Sequence, residues 1–191
     1  MARLILASSS PRRRDILKQL VTSFEIISSN VDESVDKNLP PEEIVMNLAK
    51  RKASSVANNQ QDAFIIGADT IVVFKNQILG KPADYDEAKQ MLTTLSGNTH
   101  SVYTGTCIIN GNDKRVFYEK ADVTFWELTE EEIDRYIRTG EPLDKAGSYG
   151  IQGYGATLVK SIHGDFYAVV GLPIAKLYHT LKEMKFPFKK L

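Results

Sequence analysis

The sequence predicts an α/β fold whose sheet is mixed rather than purely parallel. Three observations lead there. Helix-period and strand-period segments alternate along the chain, but irregularly. Hairpin signals stand among them, Asn110-Gly111 between two long strand-like runs and His163-Gly164-Asp165 further on. Two capping boxes, Asp84-Tyr-Asp-Glu87 and Thr129-Glu-Glu-Glu132, each open an amphipathic helix.

In chain order, Arg3 to Ala7 is a short apolar strand, and Ser10-Pro11 starts a helix with serine at the N-cap and proline at the first helical position. Phe24 to Ile27 is a second strand. Pro40-Pro41-Glu42-Glu43 opens a long helix reaching about Asn58. Phe64 to Phe74 is a long apolar strand with Gly67 as a candidate break. Behind the first capping box, Ala88, Met91, Leu92 and Leu95 form one face; behind the second, Ile133, Tyr136 and Ile137 do so, and Gly140 closes that helix. A glycine-rich loop runs from Gly147 to Gly155. Pro173 opens a last helix with Ile174, Leu177, Tyr178 and Leu181 on one face.

The 191 residues suffice for one domain, residues 1–191, with a real core or with two lobes. Lys+Arg and Asp+Glu are both 24, so formal charge is zero; a general nucleic-acid binder would carry a basic excess and is not expected. A small anionic substrate stays open, because local clusters can bind it. The single cysteine, Cys107, excludes an internal disulfide and suits a reducing compartment; within the run Tyr103 to Ile109 it reads as a small core residue. The apolar N-terminal stretch is too short for a signal sequence or a membrane span, so the expectation is a cytoplasmic protein without a membrane partner.

Charges that interrupt apolar faces are the informative residues. In the first helix, at about 100° per residue, Ile16, Leu17 and Leu20 define the buried stripe. Arg13 falls near its centre, Arg12 at its edge, and Arg14 points with Lys18 toward solvent. Two arginines at a helix start oppose the helix dipole, and a bound anion would remove the conflict. Free backbone N–H groups there, with the hydroxyls of Ser8, Ser9 and Ser10, complete a phosphate cradle. The ordinary alternative is a solvated basic turn.

In the second helix, Ile44, Val45, Leu48, Ala49, Ala53 and Val56 form the apolar arc, and Lys52 lies near its centre. Either the ammonium has a buried partner or the side chain snorkels. Geometry leaves both open. Asp69 and Thr70 sit in the middle of the strand Phe64 to Phe74. A carboxylate there must be paired, metal-bound or chemically employed; a buried Asp–Lys pair is the bland alternative. Glu33, in Asn30-Val31-Asp32-Glu33, could add a second carboxylate for a divalent metal, and Mg²⁺ is typically held by one or two carboxylates plus substrate phosphates.

Other patterns are absent. Gly80-Lys81-Pro82 lacks the Ser/Thr and the upstream glycine of a P-loop, and Gly150, Gly153 and Gly155 do not give a dinucleotide fingerprint. No zinc spacing or G-x-S-x-G occurs, and His100, His163 and His179 read as structural or surface residues. Inward arginines, lysines and carboxylates together suit a polyanion with a divalent metal, and a carboxylate able to orient or deprotonate water. The residues alone reach no further than a phosphate ester or anhydride.

Leu6-Ala-Ser-Ser-Ser-Pro-Arg-Arg13, Leu48-Ala-Lys-Arg-Lys-Ala53, Gly67-Ala-Asp-Thr70, Gly80-Lys-Pro82, Leu95-Ser-Gly97, His100, the segment Glu141 to Gly153 and Val170-Gly-Leu-Pro173 resemble the Maf family, in order, over nearly the whole chain. The resemblance implies a nucleoside triphosphate pyrophosphatase with an inosine triphosphate pyrophosphatase-like fold: an elongated mixed sheet with flanking helices and two lobes around a cleft. It implies a divalent metal cation (Mg²⁺ or Mn²⁺) and a homodimer. By motif match, Asp69 would be the proton acceptor that activates water, Glu33 would assist it in holding the metal, and Arg13, Lys52 and Lys81 would hold the triphosphate. Arg12, Thr70 and Gln152 match positions tied to substrate choice. Ser-Pro-Arg-Arg with Gly-Ile-Gln-Gly resembles the subgroup acting on dTTP and UTP, and Gln152 offers the donor and acceptor that the N3–H and O4 edge of thymine or uracil requires. The competing expectation is a nucleotide-binding regulator of cell division without turnover.

Overall fold

The computed structural model describes residues 2–36, 38–60 and 62–188. Strand β1 is Arg3–Leu6, and helix α1 runs Pro11–Lys18 behind Ser10, whose Oγ accepts the Arg13 N–H at 3.5 Å. A two-residue strand β2 (Glu25–Ile26) follows, then helix α2 (Pro41–Ala57), which carries Glu42 and Glu43 in its first turn, where the helix dipole favours them. Strand β3 (Ala63–Phe74) passes unbroken through Gly67. That glycine is not a break: a Cβ there would lie 2.5 Å from the Ala49 carbonyl oxygen and 2.6 Å from the Ala53 nitrogen, so its bareness admits α2. Gly105, on the neighbouring strand β5 (Thr99–Asn110), does the same for the Val45 carbonyl of α2.

Lys75 and Asn76, with φ of 47° and 63°, form a tight turn into β4 (Gln77–Leu79) that the sequence did not signal. Asp84 caps helix α3 (Tyr85–Leu95) by accepting the Glu87 N–H at 2.8 Å, while Glu87 reaches back to the Ala83 N–H at 2.6 Å. Strands β5 (Thr99–Asn110) and β6 (Asp113–Phe125) meet at Gly111, as expected from Asn110-Gly111. Helix α4 (Glu130–Ile137) starts with a complete capping box between Thr129 and Glu132. Three 3-10 turns occupy the stretch between Glu141 and Leu158.

The expected turn at His163-Gly164-Asp165 is corrected. His163 and Gly164 end strand β7 (Val159–Gly164), pairing with Asp122 and Ala121 of β6, and Asp165 leads into helix α5 (Phe166–Val170). Glycine is needed at 164 because φ is +126° and a Cβ would lie 2.9 Å from Ala121 Cα. Helix α6 (Ile174–Glu183) buries Leu177 and Leu181, with Tyr178 at the edge of that face against Phe188.

The strand order is β2-β1-β3-β5-β6-β7, with β4 beside β3. β1 pairs in parallel with β2 and β3, whereas β3–β4 and β6–β7 are antiparallel, so the sheet is mixed as predicted. The chain forms two units. The first comprises Met1–Asp69, Thr104–Glu119 and Gly171–Leu191, with Ile5, Ala49, Ala53, Ile65 and Cys107 in its core. Burial pushes the Cys107 thiol up to about 11, in keeping with an inert core residue. The second comprises Thr70–Tyr103 and Lys120–Val170, built on Ala88, Leu92, Leu95, Phe125, Ile133 and Tyr136. Among the described residues no helix is long and apolar enough to cross a membrane.

Candidate active site

In the first unit, α2 and β3 bring a cation and a carboxylate together. Lys52 is buried and donates from Nζ to Asp69 Oδ1 at 2.5 Å and to Glu33 Oε1 at 2.7 Å. The choice left open for Lys52 resolves to a paired ammonium, not a snorkelling one. Asp69 is 8% exposed in the middle of β3, whereas the Glu33 side chain keeps 58% of its surface in water. The triad is thus dry on one side and wet on the other.

Glu33 stands in a loop, and the loop is fixed. Asp32 accepts the Ser34 N–H at 2.8 Å and its hydroxyl at 2.5 Å, contacts that hold the Asp32 carboxyl below its ordinary range. Arg51 Nη1 donates to the carbonyls of Asp32 and Ser34, at 3.2 and 2.6 Å, one on each side of Glu33. Consecutive residues of α2 therefore hold the loop backbone (Arg51) and receive its carboxylate (Lys52). Arg51 is not legible in the sequence, because a solvent-facing arginine beside a buried lysine carries no signal of its own.

The arginine pair lies as the helical wheel places it, half-buried at the start of α1, with Arg14 exposed beside Asp15. Arg13 Nε donates to the Gly171 carbonyl at 2.8 Å, and Nη1 lies 3.5 Å from Ser8 Oγ. Burial lowers the Arg13 guanidinium from its ordinary value; Asp69 opposes this, Arg12 adds to it, and Glu33 opposes it again. Ser8 is buried and its Oγ accepts the Ser10 N–H at 3.2 Å. Ser8, Arg13, Glu33, Lys52 and Asp69 are therefore gathered in one place, with Arg12 beside them.

Three other candidates belong to the second unit. Thr70 follows Asp69 on β3 and, by strand alternation, points to the opposite face. Lys81 is exposed rather than inward; its neighbours are fixed, Pro82 by burial and Gly80 by accepting the Gly147 N–H at 3.0 Å. Gln152 is exposed on the glycine-rich loop.

The second unit also holds a buried neutral cluster. His100 is 2% exposed, its Nε2 is 2.7 Å from the Tyr149 hydroxyl, and its ring packs edge-on against Phe125 and Tyr149 at 5.0 and 5.2 Å. Burial lowers the imidazole to about 4, against the opposing charge of Asp122. His100 is structural, as read from the sequence.

For a divalent metal, the donor chemistry fits a shared site. Among the described residues no group of three or more His, Cys, Asp or Glu side chains is placed to hold a metal on its own. Two carboxylates converge on the Lys52 ammonium, which offsets only one of their two negative charges and leaves the cluster attractive to a further cation. Such a pair suits Mg²⁺ or Mn²⁺ that takes its remaining oxygens from substrate and water.

The family model described as Maf-like protein matches residues 3–184. Curated dTTP/UTP pyrophosphatases from Bacillus cereus (strain G9842) and Bacillus anthracis (strain CDC 684 / NRRL 3495) are 56% and 55% identical to the chain over 183 residues, 96% of this chain and 96% of each relative. Among solved structures, the Staphylococcus aureus Ham1 protein aligns with a TM-score of 0.49 and 14% identity, over 82% of this chain and 79% of its own.

Proposed function

The chain belongs to the Maf-like protein family, and from that membership we propose that it hydrolyses dTTP and UTP, and modified pyrimidine triphosphates, to the monophosphate and pyrophosphate. The observation that carries the reading is the Lys52 ammonium shared by a strand-borne, buried Asp69 and a solvent-open Glu33. A buried ion pair serving the fold alone would not require the second, wet carboxylate.

In this reading Arg13 and Lys52 bind triphosphate oxygens, with Lys81 as a further cation. Arg13 arrives pre-aimed by the Gly171 carbonyl and Ser8. As Lys52 turns part of its hydrogen bonding to phosphate, Asp69 accepts a proton from a water, which attacks the α-phosphorus. The bond from that phosphorus to the oxygen bridging toward the β-phosphorus breaks, and pyrophosphate leaves with the electron pair. Glu33 and Asp69 would hold a divalent cation, which when bound would supply charge neutralisation at the triphosphate. Arg12, Thr70 and Gln152 select the base, Gln152 through the paired donor and acceptor of its amide. The chain works in the cytoplasm as a homodimer.

The experiment is product analysis with purified protein, Mg²⁺ or Mn²⁺, and a panel of canonical and modified nucleotides. Pyrophosphate plus monophosphate from dTTP and UTP is the expected result. Nucleotide protection against melting without any product would replace the enzyme by a binding protein.

A further inference from the structure

We propose that Glu141 is a positioning residue for base selection, its carboxylate clamping the Gly150–Gly155 loop so that Gln152 is presented to the pyrimidine. The proposal rests on the reading of Gln152 given above.

The loop is held from both ends by side chains that lie outside it. On the near side the Tyr136 hydroxyl accepts the Gly150 N–H at 3.0 Å. On the far side Glu141 accepts two successive N–H groups, Tyr154 to Oε1 at 3.2 Å and Gly155 to Oε2 at 3.4 Å. The glycines are the imprint of this clamp. Gly153 has φ +65°, and a Cβ there would lie 2.6 Å from Glu141 Oε1. A Cβ on Gly155 would overlap the Gly150 carbonyl, so the two ends of the loop touch. Between them Ile151 is buried and Gln152 is left exposed at the crown.

Glu141 is itself anchored. It opens the 3-10 turn Glu141–Asp144, and Lys145 Nζ donates to its carbonyl at 2.5 Å and to Asp144 Oδ1 at 2.6 Å. A Cβ on Gly150 would meet the Lys145 stem at 2.8 Å, so the lysine runs under the loop as well. An exposed glutamine on a glycine-rich loop would otherwise sample many positions, and hydrogen-bond readout of a base depends on placement to a fraction of an ångström. Two main-chain bonds to one carboxylate remove that freedom within two or three residues of Gln152.

The test compares Glu141→Ala, Glu141→Gln and Gln152→Ala for turnover of dTTP and dCTP, with amide hydrogen exchange of the loop. Glu141→Ala is expected to speed exchange over Gly150–Gly155, to raise KM for dTTP by on the order of tenfold with kcat held, and to shift the dTTP/dCTP ratio of kcat/KM toward that of Gln152→Ala. Glu141→Gln keeps one carbonyl acceptor and should recover part of each effect; if the alanine variant fails to fold, the glutamine variant is read in its place. Unchanged exchange overturns the clamp. Unchanged selectivity in the Glu141 variants, beside lost selectivity in Gln152→Ala, overturns the proposal and leaves the base reading standing. An equal fall in kcat for both nucleotides with a lowered Tm makes Glu141 merely structural. Unaltered selectivity in Gln152→Ala removes the base reading, and this proposal with it.

Discussion

Asp69 and His100 are both polar side chains buried in strands, yet each unit of the protein settles the cost differently. Asp69 meets it with charge, through a 2.5 Å bond to the Lys52 ammonium. His100 meets it by staying neutral, lowered to about 4 among aromatic rings and bonded to a tyrosine hydroxyl. The first arrangement has an open side, because Glu33 faces water and can exchange partners with an incoming polyanion. The second is closed and keeps its shape. Reactive chemistry is expected where buried polarity is charged and exchangeable, and framework where it is neutral and enclosed.

The largest effect that sharpens this contrast is in catalysis. Asp69→Asn should lower kcat on dTTP by about 10³-fold while the thermal midpoint changes little, since asparagine keeps an oxygen for Lys52. Near-wild-type turnover would take Asp69 out of the proton-acceptor role.

The next effect belongs to His100. Below pH 6.5 the unfolded chain protonates this histidine, whereas the fold resists protonation down to about 4. Its contribution to stability is therefore full above pH 6.5 and declines as the pH falls toward 4, by up to about 3 kcal/mol in all. Urea midpoints at pH 7 and pH 5 should diverge in the wild type and converge in His100→Phe. A variant with the same slope would show that other groups govern acid sensitivity.

Arg13→Ala and Lys52→Ala should each weaken handling of the triphosphate by on the order of 10², more than they weaken the fold. Steady-state kinetics beside denaturation curves separate the two, and unchanged kinetics would make both residues structural. The smallest effect is in Tyr149→Phe, which removes the hydroxyl from His100 Nε2 and should cost about 1 kcal/mol with kcat intact. A large catalytic defect there would blur the line between the two regions.

Asp69, Lys52 and Arg13 were legible because charge inside an apolar period is a local anomaly visible in the sequence. The helix starts at Ser10, Asp84 and Thr129 were legible for the same reason, since a cap and its partner lie within three or four residues. What escaped depends on neighbours distant in the chain. Gly67 looked like a break, and its reason is the approach of Ala49 and Ala53. Gly164 looked like a turn, and its reason is the backbone of Lys120 and Ala121. Strand β4 was missed because a lysine occupies a positive-φ position that normally advertises itself with glycine or asparagine. Lys81 carried no anomaly of this kind and entered only by motif match; the backbone around it is fixed at Gly80 and Pro82, and its side chain stands exposed.

The two glycines beneath α2 also index that helix like notches on a ratchet. Gly67 on β3 admits the backbone at Ala49 and Ala53, and Gly105 on β5 admits it at Val45, so the helix seats at points a turn apart. One residue inserted between Ala49 and Lys52 would turn the lysine by about 100° while the seating at Val45 and Ala49 held. Its ammonium would then leave Asp69, although no residue of the charged triad had been altered. The spacing between a bare strand position and a charged helix position is thus inherited as one unit, and grafting the triad onto another scaffold would require carrying both notches with it.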